Sequence, residues 1–87
     1  MAYQIFYTKR ALKDAGKLSR SNLQHRAQEI IAIIAVDPFQ NPPSYEKLTG
    51  NLKGAYSRRI NVQHRLVYQV FEDQRAVKVV SMWTHYE

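Results

Sequence analysis

The chain has 87 residues, no cysteine, 45% apolar and 23% charged side chains, and 13 Lys and Arg against seven Asp and Glu, a formal charge of +6. A chain of this length buries about 60–65% of its unfolded surface, so residues 1–87 are read as one domain with one modest core. Disulfide frameworks, thiolate nucleophiles and Cys-ligated zinc are excluded, and no apolar run approaches the roughly 18–20 residues that cross a bilayer. A soluble cytoplasmic domain whose positive field attracts polyanions is the expectation, with nucleic acid first and an acidic protein second.

Ala2 to Tyr7 is rich in aromatic and β-branched residues and predicts a first strand with both faces largely covered. Thr8 suits the cap of a helix whose apolar stripe is Ala11, Leu12, Ala15 and Leu18. Ser21 and Gln24 have capping-box spacing ahead of a second helix with Leu23, Ala27, Ile30, Ile31 and Ile34 on one side. Asp37-Pro38 stops it. Pro38 to Gly54 reads as a long irregular loop, partly tied down by Tyr45, Leu48 and Leu52.

Three strands follow, at Ala55 to Asn61, His64 to Phe71 and Ala76 to Trp83, with connections short enough for antiparallel neighbours. The fold class is α+β, ordered β-α-α-β-β-β, with two helices packed on one face of a mainly antiparallel, twisted sheet. A tight turn at residues 61–63 sets Arg59 opposite Arg65 on one sheet face. Two adjacent guanidiniums call for an anion between them.

The usual catalytic motifs are missing. Gly50 to Gly54 lacks the Lys-Ser/Thr ending of a phosphate loop, the three histidines have no zinc spacing, and no nucleophile elbow is present. Metal-free acid–base chemistry remains. RNA suits it, because the 2′-hydroxyl is a built-in nucleophile needing a base, a cation for the phosphorane and an acid for the leaving oxygen. Glu46, the arginines at 58, 59 and 65, and His85-Tyr86 supply those residue types.

Glu46-Lys47-Leu48, the run from Leu52 to Asn61 with its Ser57-Arg58-Arg59-Ile60, His64-Arg65-Leu66-Val67-Tyr68 and the closing His85-Tyr86 resemble the YoeB/Txe family. These are toxins of bacterial toxin–antitoxin modules within the RelE superfamily. The motif resemblance spans about residues 37–87; the N-terminal third agrees in pattern. It implies one RelE-like, microbial-RNase-like domain acting as a ribosome-dependent mRNA endoribonuclease, or mRNA interferase, that cuts the codon in the ribosomal A site without a cofactor or metal. It further implies an acidic cognate antitoxin of the YefM/Phd type, operator DNA reached through the toxin–antitoxin complex, and no membrane partner; a homodimer is left open.

The same resemblance carries residue roles. Glu46 matches the general base, Arg65 the phosphorane-stabilising cation and His85 the general acid, with Tyr86 placing a base or phosphate oxygen. Arg59, Lys47 and Lys53 would attract phosphate, and Arg58 would either join them or face the core. Tyr56 and Trp83 are candidate base platforms or core aromatics. Thr49 stands where family members often carry Lys, and the last strand is two residues longer ahead of the His-Tyr pair. The reading from a different class is a non-catalytic basic nucleic-acid-binding module acting with an antitoxin as co-repressor.

Overall fold

The structure is a computed structural model and describes residues 2–85, with side chains described as far as Thr84. The elements are β1 (Gln4–Tyr7), α1 (Lys9–Arg20), α2 (Gln24–Val36), β2 (Glu46–Lys47), β3 (Ala55–Arg59), β4 (His64–Phe71) and β5 (Ala76–His85). They form one five-stranded sheet in the order β1-β5-β4-β3-β2. β1 runs parallel to β5, and the other pairings are antiparallel. No helix among the described residues is long and apolar enough to cross a membrane.

Both helices pack on one sheet face. Ala11 and Leu18 of α1 and Ala27, Ile30 and Ile34 of α2 meet Ile60, Leu66, Tyr68, Val77, Val79 and Met82 in the core. Side chains alternate along a strand. With Leu66 and Tyr68 of β4 on the helix side, Arg65 and Val67 take the other face. Arg58 opposes Leu66 and therefore points to the helices, while Ser57 and Arg59 share the helix-free face with Val67 and Arg65.

The cap of α1 forms as the sequence predicts, with the Thr8 Oγ1 accepting from the Ala11 N–H at 3.0 Å. The capping box does not. α1 runs on to Arg20, Asn22 adopts a left-handed φ of 61°, and the Leu23 N–H donates back to the Leu18 carbonyl at 3.0 Å. That reverse turn at the end of α1 uses Ser21 and Asn22 as its own stop signal, so Leu23 takes the cap position of α2 with no side-chain bond. The helical stripe is also shifted, since Leu12 is 61% exposed and Asp14 is buried in its place.

β5 explains Asp14. Its register against β4 passes from Tyr68↔Val79 to Val67↔Ser81 and from there to Arg65↔Thr84, so β5 carries an extra residue at each step. Such bulges leave backbone groups outside the ladder. α1 meets them: the Thr8 hydroxyl donates to the Val80 carbonyl at 2.7 Å, and the Asp14 carboxylate accepts from the Met82 N–H at 2.9 Å.

Two further expectations are corrected. β1 is an edge strand with one neighbour, and Phe6 and Tyr7 are exposed rather than covered. The stretch from Pro38 to Gly54 is not wholly irregular, because Glu46 and Lys47 pair with Ser57 and Tyr56 of β3.

Candidate active site

The helix-free face brings together one residue from each of three adjacent strands. Glu46 lies opposite Ser57, and Arg65 sits one strand further on. The Arg65 Nη1 donates to the Glu46 Oε1 and, at 2.8 Å, to the Ser57 Oγ. The two ends of the ion pair differ in solvation. The Arg65 side chain is 9% exposed and that of Glu46 61%. A buried guanidinium keeps its charge and requires an anion, whereas an exposed carboxylate can leave to water. Glu46 is therefore the exchangeable partner of the two.

Arg59 completes the cluster. It pairs in register with Arg65, as the turn geometry predicts, but remains exposed. Ser44, Tyr45, Glu46, Ser57, Arg59 and Arg65 line an open groove of about 430 Å³. On the other side of the Glu46–Arg65 pair, Leu48, Leu52, Val67 and Thr84 line a second, more apolar hollow. The pair thus stands between a cationic trough and an apolar shelf. Among the described residues no group of three His, Asp or Glu side chains is placed to hold a metal ion.

Of the two alternatives for Arg58, the structure takes the core-facing one, away from the groove. Arg58 is 1% exposed, and its guanidinium donates to the Pro43 carbonyl at 2.6 Å, the Gln40 carbonyl at 2.9 Å, the Pro38 carbonyl at 3.0 Å and the Tyr68 hydroxyl at 3.1 Å. Tyr68 in turn donates to the Pro38 carbonyl at 2.8 Å, and burial raises its phenol pKa against the lowering influence of Arg58. Phe39, Tyr45, Tyr56 and Tyr68 pack around this clamp with centroids 5.1–5.9 Å apart. The clamp fastens the loop three residues ahead of Glu46 and so fixes where the carboxylate enters the sheet.

Other residues singled out in the sequence separate from the site. Tyr56 belongs to the aromatic cluster on the helix side and offers no base platform beside Glu46. Trp83 stacks on His64 at 3.9 Å and borders α1, away from the Glu46–Arg65 groove. Lys47 and Lys53 are exposed, and neither lines the groove. The backbone of His85 pairs in register with His64, while its side chain and all of Tyr86 lie outside the described residues. Ser57 and Tyr45 were missed. Ser57 was legible from strand alternation with Arg59; Tyr45, in a loop, carried no pattern.

Residues 7–86 match the family of YoeB-like toxins of bacterial type II toxin–antitoxin systems. The chain belongs to this family. It is 42% identical over 74 residues to a Toxin YoeB of Synechocystis sp., covering 85% of this chain and 77% of that protein. The YoeB/ParE toxin from Agrobacterium tumefaciens superposes with a TM-score of 0.85 at 26% identity, covering 95% and 99% of the two chains. The toxin chain of the YoeB-YefM complex from Staphylococcus aureus superposes with a TM-score of 0.81 at 31% identity, covering 99% and 100%. The family's RelE-like α+β fold and the sheet described above are the same architecture.

Proposed function

We propose that this YoeB-like toxin is a metal-independent endoribonuclease that cuts mRNA in the ribosomal A site. The observation that carries the reading is the exposed Glu46 carboxylate held on the buried Arg65 guanidinium, with Arg59 alongside in one groove. An RNA strand crossing this face presents a phosphate to Arg65. The phosphate displaces Glu46, which is released within reach of the adjoining 2′-hydroxyl.

Glu46 then takes the 2′ proton, the 2′-oxygen forms a bond to phosphorus, and the bond from phosphorus to the 5′-oxygen breaks. Arg65 and Arg59 offset the charge that builds on the phosphorane, where forked, permanently charged donors act most strongly. Ser57 holds Arg65 in place from below. The departing 5′-oxygen needs a proton, and His85 is the proposed acid, with Tyr86 beside it in sequence. The products are a 2′,3′-cyclic phosphate and a 5′-hydroxyl.

The ribosomal substrate is supported by family membership and by the openness of the groove, which leaves the strand to be positioned by something larger. A cognate acidic antitoxin is supported by the relative solved with YefM and by the +6 charge of this chain. Operator DNA would be reached through that complex. The test is expression of wild type, Glu46→Gln and Arg65→Ala without antitoxin, with mRNA ends mapped by primer extension. Codon-spaced cuts made by wild type and lost in both variants support the reading. Growth arrest by all three without cuts would leave the binding-module alternative in its place.

A further inference from the structure

The apolar hollow beside the Glu46–Arg65 pair has no role in the mechanism above. It holds about 220 Å³, and Leu48, Leu52, Val67 and Thr84 line it together with both members of the pair. An open face of an antiparallel sheet is ordinarily polar, because water and not a second layer covers it. This one is not. Val67 is 4% exposed yet lies apart from the core cluster under the helices, and Leu52 is left 48% exposed at the edge of the hollow.

Local structure holds the two leucines there. Just past the end of β2, the Leu48 N–H donates to the Ala55 carbonyl at 2.9 Å and keeps Leu48 against the sheet. Gly50, with a left-handed φ of 68°, opens a single 3-10 turn that closes with the Lys53 N–H on the Gly50 carbonyl at 3.1 Å. Leu52 ends that turn and borders the hollow. The hydroxyls nearby are already engaged. The Ser57 Oγ accepts from Arg65 at 2.8 Å, and the Thr84 hydroxyl shares a hydrogen bond with Ser81 at 2.6 Å. The hollow thus offers chiefly apolar contact to a flat face.

Across the sheet the order is apolar hollow, carboxylate, guanidinium. One ribonucleotide presents base, 2′-hydroxyl and 3′-phosphate in the same order. We propose that the hollow seats the nucleobase on the 5′ side of the cut, the base of the nucleotide whose 2′-hydroxyl Glu46 deprotonates. The inference rests on the nuclease reading and adds a base subsite to it. Leu48, Leu52 and Val67 hold the base by its face, which every base possesses, so the seat tolerates any base. Seating the base sets the ribose over Glu46 and the phosphate on Arg65. An apolar protein segment placed here would cut the exposed Glu46 carboxylate off from water, whereas a nucleotide brings the phosphate that takes its place on Arg65.

The test is a nuclear magnetic resonance titration of the full chain with adenosine 3′-monophosphate, which carries base, ribose and 3′-phosphate but no leaving group, and with inorganic phosphate. Ring currents from a seated base should move the methyl signals of Leu48, Leu52 and Val67, while inorganic phosphate at the same concentration leaves them still. Leu52→Ser, at a half-exposed position, should weaken the nucleotide about fivefold, and Val36→Ser, an exposed apolar residue at the end of α2, less than about twofold. Thermal melts confirm that both variants fold. Unmoved methyls, the same shifts with phosphate, or equal losses in the two variants would overturn the proposal. Methyl shifts that follow protein concentration without nucleotide would assign the hollow to a second copy of this chain and overturn it too. No strand is cut in this measurement. Mapped mRNA cuts with unmoved methyls remove the base seat and leave the nuclease, and moved methyls without cuts do the reverse.

Discussion

Replacing Arg58 with Met tests the loop clamp. The substitution keeps most of the buried volume but removes four hydrogen bonds, to the carbonyls of Pro38, Gln40 and Pro43 and to the Tyr68 hydroxyl. Charge-assisted bonds of this kind contribute about 1.5–3 kcal/mol each when acceptors stay buried. Here the loss is smaller than four such bonds would give. The Gln40 and Pro43 contacts are only part-buried, so water can take over, and the Pro38 carbonyl keeps its bond from Tyr68. A net cost of about 3–4 kcal/mol follows, in line with breaking a buried polar network. For a chain of this size that is a fall in Tm of roughly 15–25 °C.

The assay pairs calorimetry with hydrogen exchange. The Leu48 N–H, bonded to the Ala55 carbonyl at 2.9 Å, reports whether the strand bearing Glu46 stays docked, and it should exchange faster in the variant. Arg59→Met, one residue along and on the exposed face, should shift Tm by less than about 5 °C, since a surface arginine contributes about 0–1 kcal/mol. If Arg58→Met melts within about 5 °C of wild type, or melts early with Leu48 exchange unchanged, Arg58 does not position the loop and the reasoning fails.

Two further substitutions probe the scaffold. Asp14→Ala strands the buried Met82 N–H and should cost about 2–3 kcal/mol by urea unfolding, whereas Asp14→Asn, which keeps an acceptor, should cost less than half as much. Equal costs would show that the carboxylate's charge, and not its bond to β5, is what matters. Tyr68 has a raised folded-state pKa, so its contribution is complete below about pH 10, the usual phenol value, and is lost as pH rises through the raised one. Tyr68→Phe should therefore be less stable than wild type near neutrality, with a gap that narrows above about pH 10; a constant gap would contradict the assignment.

The patterned parts of the fold were legible in the sequence. Helical spacing located Ala27, Ile30 and Ile34, and the short turn before His64 predicted that Arg59 opposes Arg65. What escaped was what pattern cannot encode. β2 is two residues long, below any periodicity, yet it brings Glu46 to the sheet. Asp14 sits on the buried side of α1 because bulges in β5 leave the Met82 N–H to be satisfied, and no local signal around Asp14 marks a backbone group 68 residues further along the chain. The Ser21 box failed because Asn22 competed for the same turn. Arg58 and Arg59 are adjacent and chemically alike; only strand alternation separates the buried clamp from the exposed arginine that lines the groove.

The central claim is that the chain makes RNA attack itself. The direct measurement uses ribosomes programmed with a synthetic mRNA carrying a single 2′-deoxynucleotide at the mapped cut site. Cutting should vanish there and persist on the all-ribose message, whose upstream fragment ends in a 2′,3′-cyclic phosphate. Cutting of the deoxy-substituted message at the same site would mean that water or another nucleophile attacks, and the roles given to Glu46 and Arg65 would be wrong.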